Sequence, residues 1–129
     1  MNCVTDTHAL LWWSAESRKI SSKAYEIFER CESGDNVIFI PSIVLAESLS
    51  IFEKKRISFD FRRLLKRIED SENFVIIPFD FPILQKMIDL KDVIELHDKI
   101  IVATAKYLMA PLITKDAAIE KISYIRTVW

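Results

Sequence analysis

The sequence predicts an α/β fold, a parallel sheet with helices on both faces, and three observations carry that prediction. Short, almost wholly apolar runs recur at residues 2–5, 37–40, 74–77, 112–114 and 125–128. The stretches between them place apolar residues at helical spacing. The two kinds of segment alternate from end to end, and such alternation selects a parallel sheet over an antiparallel one. The expected order is β-α-α-β-α-α-β-α-α-β-α-β in a single domain, residues 1–129.

Each element has its own local reason. The first strand ends at Asp6, and residues 7–13 stay apolar as a helix or turn over the sheet edge. Ser21 is the expected N-cap of a helix reaching about Arg30, with Ala24, Ile27, Phe28 and Cys31 on one face. Ser33-Gly34-Asp35-Asn36 is a turn cluster before the second strand. Pro41-Ser42 opens the next helix, with Ser42 as its expected cap. That helix is expected to turn Ile43, Val44, Ala46, Leu49, Ile51 and Phe52 inward, with Glu47 in its second turn. Residues 60–68 form an amphipathic helix, and Pro78 closes the third strand. A helix from Asp80 or Phe81 to about Asp89 follows, and Asp92 is a candidate cap for a short turn. A late apolar helix begins at Asp98, turns at Ala110-Pro111 and leads into the fourth strand. Asp116 lies just past that strand, ahead of a short helix at residues 117–121 and the last strand.

The bulk numbers narrow the classes. The chain has 129 residues, half of them apolar, enough for one domain with a real core. A net charge of −1 means that any polyanion must be met by a local patch. The single glycine leaves no Gly-rich loop to cradle phosphates, against P-loop and dinucleotide-binding fingerprints. Cys3 and Cys31 follow no spacing motif and read as free buried thiols in a reducing, cytoplasmic setting. Asp6 interrupts the only early apolar run, so no signal peptide is expected there. No stretch approaches the roughly 18 apolar residues of a membrane span.

In a parallel sheet the C-terminal ends of the strands share an edge with the starts of the following helices. Four acids from distant parts of the chain fall at that edge: Asp6, Glu47, Asp98 and Asp116. Asp is also a favoured N-cap, so each aspartate could simply start a helix. Glu47 lies inside a helix, where capping does not explain it. Four converging carboxylates repel; a like-charge pair 4 Å apart costs roughly 4 kcal/mol at an effective dielectric of 20. A divalent cation removes that cost, and all-oxygen ligation selects Mg²⁺ or Mn²⁺ over Zn²⁺. Such an ion activates water and stabilises a pentacovalent phosphate.

The quartet, in the strings VTDTHALLWW, PSIVLAES, LHDKIIVATA and PLITKD, resembles the PIN-domain ribonucleases, specifically the VapC-type toxins of toxin–antitoxin pairs. The resemblance runs in order along essentially the whole chain. It implies a three-layer α/β/α sandwich with a five-stranded parallel sheet. By the match, Asp6 is the first-strand acid, Glu47 the helix acid, Asp98 the acid opening the late helix and Asp116 the acid after the fourth strand. Thr114 matches a hydroxyl that supports the metal site. The implied activity is Mg²⁺- or Mn²⁺-dependent endonucleolytic cleavage of RNA, by a homodimer neutralised by a VapB-like protein antitoxin. Two departures stand out: Leu96-His97 precedes Asp98 where the family often has Pro-Phe, and Met109-Ala110-Pro111 replaces a turn that commonly carries glycine.

Other residues have competing readings. His8 and His97 neighbour the quartet, yet a metal-activated water needs no histidine, so peripheral roles are expected. Lys54, Lys55, Arg56, Arg62, Arg63, Lys66 and Arg67 crowd one arm, either as a solvated face or as a surface for RNA phosphates or an antitoxin. Lys99 and Lys115 clamp a phosphate or only balance charge. Trp12, Trp13 and Trp129 could stack bases, but core or dimer contacts are the preferred reading. Two rival functions are a catalytically silent module that binds an antitoxin or RNA, and an aspartyl-phosphate phosphatase. The latter wants a second Asp two residues after the nucleophile, where this chain has His8.

Overall fold

The computed structural model describes residues 1–93 and 95–129. In chain order the elements are β1 (Cys3–Thr5), α1 (Thr7–Ser14), α2 (Ser22–Glu32), β2 (Ile38–Pro41), α3 (Ser42–Glu53) and α4 (Phe61–Asp70). There follow β3 (Phe74–Ile77), α5 (Phe81–Met87), α6 (Leu96–Leu108), β4 (Leu112–Ile113), α7 (Ala117–Glu120) and β5 (Thr127–Val128). The five strands form one parallel sheet ordered β3-β2-β1-β4-β5. The α/β/α architecture and the element order are those expected.

The sheet order positions everything else. The chain builds outward from β1 through β2 to β3, then returns to the other side of β1 for β4 and β5. The order therefore reverses between β1 and β4, and in open parallel sheets such a reversal opens a crevice at the carboxyl ends of the strands. Thr5 is in register with Ile113, and the Asp6 N–H donates to the Ile113 carbonyl at 3.2 Å. Whatever follows β1 and β4 is thus brought to one place.

The core lies on both faces of the sheet. Ala24, Ile27, Phe28 and Cys31 of α2 are buried, as their spacing predicted, and Ser21 caps the helix by accepting the Ala24 N–H at 3.1 Å. Trp13 is fully buried, its ring stacked on Phe28 with centroids 5.1 Å apart. The Arg67 guanidinium covers Trp13 at 3.9 Å and takes both Glu32 oxygens, at 2.7 and 2.8 Å. Arg67 thereby ties α4 to α1 and α2. Cys3 and Cys31 are free and buried, and burial pushes both thiols up to about 11. Among the described residues no helix is long and apolar enough to cross a membrane.

Several local expectations need correction. Ser42 does not cap α3; Pro41 holds that position without a side-chain bond, and the Ser42 hydroxyl accepts the Phe79 N–H at 3.1 Å. The inward face of α3 is narrower than expected: Val44 and Ser48 are buried, while Ala46, Leu49 and Phe52 are exposed. Phe52 instead packs against Phe59 and Phe61, with centroids 5.6 and 5.8 Å away, in a small cluster joining α3 to α4. Asp92 accepts the Tyr124 hydroxyl at 2.8 Å rather than capping a turn. The last strand is shorter than expected, because Ile125 is drawn into a turn with Ile122.

With one glycine in the chain, left-handed positions fall to other residues: Glu16, Lys55 and Met109 have φ of 53°, 55° and 50°. Met109 closes α6, its N–H donating to the Ala105 and Lys106 carbonyls, and its side chain is 92% exposed. A Cβ in this region costs about 1–2 kcal/mol, partly offset by glycine's larger entropy loss on folding. Met109→Gly is therefore expected to stabilise the protein by about 0.5–1 kcal/mol, read as a higher urea midpoint at unchanged slope. An unchanged or lower midpoint refutes this.

Candidate active site

Asp6 is the N-cap of α1. The Ala9 N–H donates to its Oδ1 at 2.9 Å. Asp116 caps α7 in the same way, its Oδ1 accepting from Ala118 at 2.8 Å and Ile119 at 3.1 Å. Both aspartates follow strands that pair with each other, so capping and convergence are two results of one placement. Thr114, fully buried behind them, accepts the Asp116 N–H at 3.1 Å, and its hydroxyl acts to lower the Asp6 carboxyl.

Asp98 behaves differently. It does not cap α6; Glu95 does, accepting the Asp98 N–H at 2.6 Å. The Asp98 side chain, in the first turn, is left free of that duty. Glu47, on α3, accepts a short hydrogen bond from the Thr7 hydroxyl at Oε1. Its Oε2 lies 3.4 Å from His97 Nδ1, which also meets Glu95 Oε1 at 3.0 Å.

All four predicted carboxylates line one cavity of about 670 Å³, joined by Glu95, Thr7, His8, Trp12, Lys19 and Lys115. Their mutual effect is visible in their acidity. Burial, then the charges of Glu95, Asp116, Glu47 and Asp6, push the Asp98 carboxyl up to about 6. Burial also raises Asp6, against bonds from Thr114 and the Ala9 N–H that lower it. Burial acts upward on Glu95 too, but bonds from the Asp98 and His97 N–H groups outweigh it, and its carboxyl ends below the usual range.

Among the described residues, no three Asp, Glu, His or Cys side chains stand close enough together to hold a metal ion as placed. The carboxylates share a cavity rather than a ready-made coordination point. The donor chemistry nevertheless fits a hard divalent cation. Every acid is an oxygen donor, and the charge that raises Asp98 is the charge such a cation neutralises.

The flanking cations sort themselves by position. Lys115 lines the cavity, whereas Lys99 is absent from its lining. Lys54 and Arg56 line a second cavity of about 620 Å³ that shares His8, Trp12, Lys19 and Glu47 with the first. Arg67 is committed to Glu32, and Lys66 pairs with Asp70 at 3.2 Å on the exposed face of α4. Within the seven-cation arm, Lys54 and Arg56 thus face a cavity while Lys66 and Arg67 are held in ion pairs. Sequence reasoning missed Thr7 and Glu95 as partners of the quartet. The available signal for Glu95 was an acid three residues ahead of Asp98, the spacing at which an N-cap side chain accepts a helix N–H.

Comparisons with known proteins agree with this architecture. The PIN domain family matches residues 3–124. No curated protein matches the chain significantly. Among solved structures, VapBC2 from Rickettsia felis bound to a DNA fragment from its promoter superposes with a TM-score of 0.72 at 20% identity, covering 99% of this chain and 98% of that one. A toxin–antitoxin complex from Klebsiella pneumoniae gives 0.72 at 22% identity, with 98% and 96% covered. Mycobacterium tuberculosis VapC20, a sarcin-ricin loop cleaving toxin, gives 0.62 at 12% identity, with 96% and 98% covered. These identities speak to the fold. With the family match spanning nearly all of the sequence and the acidic crevice lying where the sheet order reverses, the chain belongs to the PIN domain family.

Proposed function

We propose that this PIN domain is a Mg²⁺- or Mn²⁺-dependent endoribonuclease and the toxin of a toxin–antitoxin pair. One observation carries the reading: acids from four separate segments line a single cavity. Asp6, Glu47, Asp98 and Asp116 would hold the ion. When bound, it supplies a Lewis acid that eases deprotonation of water and offsets charge on the phosphate. The chain's own groups do the rest. Thr7 fixes the Glu47 carboxylate, Thr114 holds the Asp116 backbone, and the Glu95 cap sets the start of α6 beneath Asp98. Lys19 and Lys115 place positive charge at the cavity wall, where a phosphodiester would lie. Attack by water leaves a 5′-phosphate and a 3′-hydroxyl.

The antitoxin assignment leans on the likeness to the Klebsiella pneumoniae complex, and RNA as substrate on the likeness to the loop-cleaving toxin. A homodimer is also proposed. The α5 segment leaves Phe81, Leu84 and Ile88 exposed at i, i+3 and i+7, an apolar stripe of the kind that marks contact surfaces. The purified protein is expected to cut RNA with Mg²⁺ or Mn²⁺ and to stop with EDTA. Asp6→Asn is expected to cut on the order of 10²–10³-fold more slowly, about 3–4 kcal/mol of barrier. Cleavage that survives both treatments refutes the assignment. The open spacing of the carboxylates favours one rival, a silent binding module. Calorimetry decides between them, because that module would take up no Mn²⁺.

A further inference from the structure

Trp12 and Trp13 are consecutive, yet only Trp13 is buried in the core. Trp12 is half-buried and lines both cavities, so its indole stands at their junction. Lys19 Nζ and Lys115 Nζ each lie over that ring, 5.9 Å from its centroid, and the His8 ring tilts against it at 5.5 Å, so a base reaching the indole takes the place of one of these flexible groups. Trp129 packs against it nearly edge-on, at 5.7 Å and 70°, which braces the ring in place. Beyond the shared wall, the second cavity carries Lys54 and Arg56, with Glu47 the only carboxylate among the described residues that line it. The first cavity is acidic and suits a cation. The second is basic and suits what the cation would act upon.

Resting on the nuclease reading, we infer that the second cavity is the seat of the single-stranded RNA flanking the cut, with one base stacked on Trp12 and its backbone tracked by Lys19, Lys54 and Arg56. A braced aromatic face between cations is the arrangement by which proteins hold unpaired bases without reading their identity. A duplex keeps its bases stacked on one another, so only an unpaired base reaches this ring, and what is assigned here is the part Trp12 and these cations play in holding it. Lys54 and Arg56 lie just beyond the end of α3, and the left-handed Lys55 between them ends the helix. The Lys55 and Arg56 N–H groups bond back to the Phe52 and Ile51 carbonyls, which fixes the turn that carries these cations.

The test measures binding of a short oligouridine to the full chain in EDTA, where no cutting occurs, across a salt series. Trp12→Leu is expected to weaken binding about 5- to 100-fold with little change in salt slope, while Trp12→Tyr keeps most of it. Lys54→Gln/Arg56→Gln, on exposed positions that do not threaten folding, is expected to lower the salt slope by about 1.4, two phosphate contacts on single-stranded RNA. With Mg²⁺ restored, both changes should raise KM more than they lower kcat. Oligouridine binding unaltered in both variants overturns the proposal, as does equal binding of a perfect RNA duplex. So does tighter, Trp12-independent binding of polyglutamate, which would mark the groove as a seat for an acidic peptide. Wild type that cuts RNA while the variants bind normally sinks the groove and spares the nuclease. Wild type that binds through Trp12 but never cuts does the reverse.

Discussion

Asp98→Asn is expected to make the metal-free protein more stable while abolishing RNA cleavage. The folded-state carboxyl sits at about 6 against an ordinary 3.8, so the folded protein binds this proton more tightly than the unfolded chain does. The sign follows directly. The contribution is fully present below about 3.8 and is lost as pH rises through about 6. At neutral pH the wild type carries an ionised Asp98 against burial and four neighbouring acids. The full shift would correspond to about 3 kcal/mol. Because the side chain is only half-buried, screening reduces this to about 1–2 kcal/mol. The stability difference between Asp98→Asn and wild type should thus be near zero at pH 3.5 and grow to its full value above pH 6.5. Taking the difference matters, because Glu32 works the other way. Its bond with Arg67 holds its carboxyl low, so that contribution is present above the ordinary carboxylate range and fades as pH falls below it. Adding Mg²⁺ or Mn²⁺ should raise the melting temperature of wild type more than that of the variant. Chemical denaturation at several pH values, with and without the ion, reads all of this. A variant less stable than wild type at pH 7.5 without metal would show that repulsion does not govern this cavity.

Trp13→Ala is expected to cost about 3–5 kcal/mol, the range for deleting a buried aromatic. That is a large share of the roughly 5–15 kcal/mol a domain possesses. The ring is 1% exposed, stacks on Phe28, meets Phe74 at 5.4 Å and forms the floor under Arg67. Its loss opens a cavity and removes the surface that orients the Arg67–Glu32 pair. Arg67→Ala should therefore cost less in the Trp13→Ala background than in wild type, and a double-mutant cycle measures that coupling. Strict additivity would mean that Arg67 gains nothing from the ring. Trp12→Leu, one residue away, should leave stability nearly intact, since Trp12 lies half-open at the cavity rim.

That pair shows where the sequence is legible and where it is not. The alternation of apolar runs and helical periods identifies every element in order, because each local signal agrees with the global sheet. The quartet is legible for a related reason: Asp6 and Asp116 follow strands, Asp98 lies in the first turn of a helix and Glu47 in the second turn of another, and the topology sends those points to one edge. Facing is harder. Adjacent helical residues differ by about 100°, so WW says that one tryptophan goes in without saying which. The α3 helix shows the same limit. Its apolar residues outnumber the buried positions, and Leu49 and Phe52 had to be placed outside once Val44 and Ser48 filled the seam. Glu95 escaped notice because an acid ahead of a helix is ordinary dipole complementation. Only its bonds to Asp98 and His97 reveal more.

The caps at Asp6 and Asp116 have an evolutionary corollary. One oxygen of each carboxylate is held by backbone N–H groups, an office that asparagine fills equally well. Exchanging that single atom would silence the chemistry while leaving every strand and helix in place. Such a chain would lose the proposed activity in one step and keep its fold.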